Sequence, residues 1–220
     1  DAHILVSPQK WYFHFGTPQS PCGVKVNNWL QIKSYLCMGS EIPGLPPIPA
    51  EVSTIAGNIR PSAAFARSGN GFLFGANFNA SARINAWIGS AEMNANAGFD
   101  IMVRNFGQAR CQGENSVVGF NGWYGVGQMW AITSGKLKIL GVTLFDAGIA
   151  GILQAQLPNP FYGQANMGVR VKTLFGTLNK NINIKLGTEC ILESADNGSA
   201  LGMQVISQLN PGDGGISLPS

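Results

Sequence analysis

From Ala76 to Ile88 apolar residues occupy every second position, as Ala76, Phe78, Ala80, Ala82, Ile84, Ala86 and Ile88, with Asn77, Asn79, Ser81, Arg83 and Asn85 between them. The phase slips by one at Gly89-Ser90, and alternation resumes as Ala91, Met93, Ala95, Ala97, Phe99, Ile101 and Val103. A period of two sends alternate side chains to opposite faces of a pleated strand. A slip of one residue marks a turn or a bulge, because it transfers every later side chain to the other face. Residues 71–103 are therefore expected to form one long β-hairpin with an apolar face and an amide-rich face.

Shorter patterns flank it. In residues 1–38, Trp11, Phe13 and Phe15 alternate with Tyr12 and His14, and Val24 and Val26 open a further strand, so an N-terminal β subdomain is expected. Residues 39–70 hold Pro43, Pro46, Pro47 and Pro49 and read as a Pro-rich connector. Within it, Ala50 to Gly57 predicts a short helix, with Pro49 at its first turn and Glu51 near its N-terminus. Residues 71–194 form the main antiparallel β domain, broken by a loop over 104–122 that carries Cys111. Gly119, Gly122, Gly125 and Gly127 interrupt the strand signals of 117–132, as glycine does at bulges or where another backbone comes close. Leu137 to Leu144 predicts the next strand, and the uncharged run Ile149 to Leu157 a buried one, stopped by Pro158-Asn159-Pro160. Met167, Val169 and Val171 predict a strand with a wet face, Thr177 to Lys180 a turn, and Ile182, Ile184 and Leu186 a last strand. Residues 195–220 read as a linker or the start of a following Ig-like domain, with Gln204 to Leu209 apolar enough for one more strand. The expected fold is all-β: mostly antiparallel long strands in a sandwich- or open-barrel-like sheet, with the Pro-rich connector and at most one or two short helices.

Composition narrows the setting. Charged residues make up 11% of the 220, against the usual quarter, and 29 residues are Gly. Low charge with abundant Gly, Asn and aromatics suits a secreted protein, extracellular or on the outer cell surface, and excludes a disordered chain. The net charge of +3 is scattered, and no run of Lys or Arg along the sequence resembles a nucleic-acid footprint or a membrane-surface patch. No segment reaches the ~18 apolar residues of a transmembrane helix. Transmembrane β-barrel strands alternate in the same way, but Ala, frequent on the apolar face here, is a poor lipid-facing residue. Asp1 in place of a start methionine points to a piece of a longer, multidomain protein.

Cys22, Cys37, Cys111 and Cys190 are candidate disulfide partners, with Cys22–Cys37 and Cys111–Cys190 the expected pairs. No Cys-x-x-Cys is present and His3 and His14 stand away from the cysteines, so no metal is expected. No nucleophile elbow, Walker loop or dinucleotide fingerprint is found, and neither catalytic residues nor cofactors are assigned. Glu92 and Asp100 share one strand face but stand ~27 Å apart along it, beyond the ~5–10 Å that a glycosidase pair needs. His14 reads as the second face of an aromatic strand. Trp87, Trp123, Tyr124, Trp130, Phe161 and Tyr162 are the candidate ligand or partner surface, because exposed aromatics stack on sugars and anchor interfaces; the stripe beside the glycines of 119–127 also reads, and more commonly, as filling space across the sheet.

Several motifs, taken as an ordered set, carry a family resemblance. These are Trp11-Tyr12-Phe13-His14-Phe15-Gly16-Thr17-Pro18, Ser68-Gly69-Asn70-Gly71-Phe72, Asn121-Gly122-Trp123-Tyr124, Leu153 to Pro160 and Gly187-Thr188-Glu189-Cys190. Most of residues 8–192 resembles a β-rich domain of very large, uncharacterised secreted or surface proteins of Bacteroidota. The resemblance implies an exported module in a multidomain chain, often beside Ig-like domains, and no catalytic residues.

The function expected from the sequence is a non-enzymatic structural or assembly module acting through protein–protein contacts. Its partners would be other domains of the same long chain or subunits of a surface assembly. The alternative is an extracellular glycan- or lipid-binding β module using the surface aromatics. Nucleic acid is not an expected partner.

Overall fold

The computed structural model describes residues 2–27, 29–59 and 61–193, so the expectations for 195–220 lie outside the described residues. In chain order the elements are β1 (Ala2–Val6), β2 (Trp11–Phe15), β3 (Cys22–Val26), β4 (Leu30–Ile42), α1 (Ala50–Ala56), β5 (Gly69–Ala86), β6 (Gly89–Asn105), β7 (Trp123–Ile139), β8 (Val142–Leu157), β9 (Tyr162–Thr173) and β10 (Gly176–Gly187). The ten strands make one antiparallel sheet that stays open, in the order β1-β2-β4-β5-β6-β7-β8-β9-β10. On the outer side of β4, β3 pairs with Leu30 to Ser34 and β2 with Leu36 to Gly39. The strands of residues 1–38 thus continue the main sheet, because β4 also pairs with β5 from Leu30↔Ala80 to Ile42↔Gly69.

The long hairpin read from the sequence is β5–β6, in unbroken register from Gly71↔Arg104 to Ala86↔Gly89. Two expected boundaries move. A turn at Leu140-Gly141 splits the strand expected over Leu137 to Leu144, so β8 runs unbroken from Val142 to Leu157. The last turn falls at Leu174-Phe175 rather than over 177–180. Nor is 149–157 a strand buried on both sides: Ile152 and Gln154 are buried, whereas Ile149 and Leu153 are 58% and 46% exposed.

The register sorts side chains onto two faces. One carries Tyr35 and Cys37, then Leu73, Asp100, Met102, Gln128 and Trp130, with their cross-strand neighbours. Residues 43–59, which include helix α1, residues 61–68 and the loop 106–122 lie over this face. One core cluster joins Leu45 and Phe65 of the connector to Leu73, Met102 and Tyr124, and a second joins Val52 and Ile55 of α1 to Trp130 and Ile152. The other face carries Phe74 and Phe78, Phe99 and Ile101, Met129, Leu153 and Met167, with no part of the described chain over it. An antiparallel sheet usually buries its apolar face and wets its polar one. Here the chain covers the face that carries the amides.

Candidate interaction surface

Fixed polar groups hold the connector to the covered face. Tyr35, Gly75, Asp100, Gln128 and Gln154 form one cross-strand row. The Tyr35 hydroxyl donates to Asp100 Oδ1, and Gln128 Nε2 donates to Asp100 Oδ2 at 2.8 Å and to Pro46 O at 2.8 Å. Burial pushes the Asp100 carboxyl above the usual carboxylate range, while the bonds from Gln128 and Tyr35 pull the other way. Burial, then the Asp100 charge, pushes the Tyr35 hydroxyl upward. Arg104 closes the far end of the connector: its guanidinium donates to the carbonyls of Ala64, Arg67 and Ser68 and packs 4.8 Å from the Phe106 ring centre. The sequence gives no signal for Arg104 beyond a charge at a strand end, and Asp100 reads there as one more polar-face position.

Helix α1 sits in a groove cut by glycine. A Cβ on Gly168 would lie 1.8 Å from Ile55 O, and one on Gly148 would lie 2.6 Å from Ile55 Cδ1. Glycine within these strands lets a second backbone approach, and burying Ile55 there contributes roughly 1.5–3 kcal/mol.

The disulfide Cys111–Cys190, with Cα atoms 5.1 Å apart, ties the 106–122 loop to the segment after β10. Gln112 N donates to Ile191 O and Glu193 N to Arg110 O on either side of it, each at 2.9 Å or less. The expected Cys22–Cys37 bridge is not formed. Cys22 opens β3 opposite Ser34, whereas Cys37 lies three residues further along β4 with its Sγ donating to Gly16 O at 3.4 Å. Burial holds the Cys37 thiol up at about 11.

The open face differs in kind. Across β5 to β9 it carries no charged side chain among the described residues. These strands of 12 to 18 residues, spaced ~4.8 Å, give an apolar surface of roughly 1,000 Å². The largest apolar patch of an ordinary monomer is about 300–600 Å². The surface is not flat. One cross-strand row reads Phe78, Ala97, Ala131, Gly151, Met167, with small residues between large ones. Phe99, Met129 and Leu153 rise beside it and frame a hollow of about 520 Å³. Both sheet margins are open as well: all five residues of β1 and all twelve of β10 are exposed.

The aromatic candidates divide between these regions. Tyr124, Trp130 and Tyr162 are buried on the covered face, so they are core side chains and not surface. Adjacent residues of a strand point opposite ways, and Trp123, beside Tyr124, lies on the open face at 40% exposure. Phe161 is half exposed in the β8–β9 loop, and Trp87 is 97% exposed at the β5–β6 turn. His14 stacks on Tyr12 at 4.5 Å and pairs across strands with His3 and Cys37.

Compared with known protein families, with curated proteins and with solved structures, the chain finds no match in any of the three.

Proposed function

We propose that this chain is a non-enzymatic assembly module of a secreted or cell-surface protein, and that other protein covers its open sheet face. The carrying observation is the division of the sheet. The chain spends its connector, its helix and its disulfide on the amide-bearing face and leaves uncovered the apolar face, which is free of charge across β5 to β9. The hollow between Phe78 and Met167 suits a bulky apolar side chain from a partner, the usual anchor of an interface. The exposed margins β1 and β10 offer unpaired backbone groups to a further strand. The buried ionisable groups also fit this reading, since Arg104 bonds the connector directly and Asp100, held by Tyr35, accepts from the Gln128 amide that bonds Pro46. A module of a long multidomain chain, as the Bacteroidota resemblance implies, would find such a partner in a neighbouring domain or subunit.

For the isolated chain the available protein partner is a second copy. Light scattering in detergent-free buffer is expected to show oligomers. Leu153→Glu, at the centre of the open face, is expected to dissociate them, and Lys136→Glu, on the other face, to leave them intact. A monomer that Leu153→Glu leaves unchanged would contradict the proposal.

A further inference from the structure

Three consecutive hairpins, β5–β6, β7–β8 and β9–β10, turn at the same end of the sheet through two-residue loops: Trp87-Ile88, Leu140-Gly141 and Leu174-Phe175. Tight hairpin loops favour Asn, Asp and Gly. Five of these six positions instead hold large apolar residues, with Trp87 97%, Leu140 80% and Phe175 99% exposed. The first two tips stand side by side, since Gly89 pairs with Ile139. The third is set back by three residues, since Thr173 pairs with Phe145.

Leu140 sharpens the point. It adopts φ 49° and Gly141 φ 81°, the conformation of a loop that takes Asn-Gly. A left-handed backbone costs Leu more than Asn, so the turn holds an exposed apolar side chain against its own conformational preference.

Charge is gathered behind the tips. Residues 83–92, 136–146 and 170–180 hold six cations (Arg83, Lys136, Lys138, Arg170, Lys172, Lys180) and two anions (Glu92, Asp146), a net of +4. The whole chain has a net of +3, so the remainder sums to −1. Apolar side chains at the leading edge with cations behind them are what an interface of anionic lipid accepts: rings and alkyl groups enter the headgroup boundary, and ammonium and guanidinium groups meet the phosphates. The backbone of the tips need not enter hydrocarbon, where its polar groups would lack partners.

We propose that the three hairpin tips form a docking surface for an anionic phospholipid bilayer, with Trp87, Leu140 and Phe175 as the inserted side chains. This surface is separate from the open sheet face and does not depend on what covers that face.

The test is co-sedimentation of the chain with vesicles of phosphatidylcholine alone and of phosphatidylcholine mixed with phosphatidylglycerol, at low and high salt. Binding to the mixed vesicles, weakened by salt, is expected. The triple variant Trp87→Asn, Leu140→Asn, Phe175→Asn should bind at least about tenfold more weakly, the factor that ~1.4 kcal/mol represents. Trp87→Phe should bind as the wild type does but lose the blue shift of tryptophan emission that accompanies binding. Leu140→Asn alone should raise the midpoint of unfolding and weaken vesicle binding, opposite movements that a purely structural turn would not give. No sedimentation with either vesicle, equal binding to both compositions, or undiminished binding by the triple variant would each overturn the proposal. Leu153→Glu separates the two readings: it should break self-association and leave vesicle binding in place.

Discussion

The Tyr35 hydroxyl reaches Asp100 across an intervening strand, through space left open by Gly75. Tyr35 pairs with Gly75 and Gly75 with Asp100, and a Cβ at position 75 would stand 2.4 Å from Asp100 Oδ1 and 2.5 Å from the Tyr35 ring. Gly75→Ala should therefore displace the ring or the carboxylate and cost about 1–3 kcal/mol. Urea denaturation checks this. An unchanged midpoint would mean that the row relaxes without loss.

Asp100 also predicts a pH dependence. Its folded value lies above its unfolded value, chiefly because burial disfavours the charge. Protonation then favours the folded state, so this group's contribution rises as pH falls through the folded value and levels off below the unfolded value, about 3.9. The stability of the wild type relative to Asp100→Asn should accordingly increase from neutral pH toward pH ~4. Denaturation curves at a series of pH values measure that difference. A constant difference would show that Asp100 titrates normally.

The groove under α1 gives a coupling test. Gly168 meets the backbone of Ile55 and Gly148 meets only its Cδ1. Gly148→Ala and Gly168→Ala should each destabilise by about 1–3 kcal/mol. Ile55→Val removes Cδ1, so it should relieve much of the cost of Gly148→Ala and none of that of Gly168→Ala. Double-mutant cycles read this directly, and equal coupling at both glycines would contradict the placement of the helix.

The sequence shows the long hairpin because alternation from Ala76 to Val103 is nearly uninterrupted, and it shows the connector and its helix because prolines mark both. Strand glycines announce close approach, and Gly148 and Gly168 do meet α1. The turn at Leu140-Gly141 escapes notice because Leu stands where Asn is expected, so the residues on both sides read as strand. Whether Tyr124, Trp130 and Tyr162 are core or surface stays open in the sequence for another reason. Period two separates the faces but does not say which face the loops cover, and residues 43–68 and 106–122 are too irregular to be placed by pattern. The role of Arg104 is hidden likewise, since its acceptors are carbonyls about forty residues earlier in the chain.

The Cys111–Cys190 bridge closes a loop with a sequence separation of 79. In the chain-entropy model that contributes about 4–5 kcal/mol, most of it by restricting the unfolded chain. Reductant should lower the unfolding midpoint of the wild type, and the double variant Cys111→Ser, Cys190→Ser should start low and show no further response. Thermal unfolding with and without reductant decides it.

The central claim, that protein covers the open face, is tested most directly by photo-crosslinking from within that face. A benzophenone amino acid in place of Met129 faces outward beside the hollow, and one in place of Ser134 lies on the opposite face. On irradiation of the assembled protein, an intermolecular protein adduct is expected from position 129 and none of comparable yield from position 134, where helix α1 of the same chain lies close. Reaction with water or lipid alone at position 129 would contradict it.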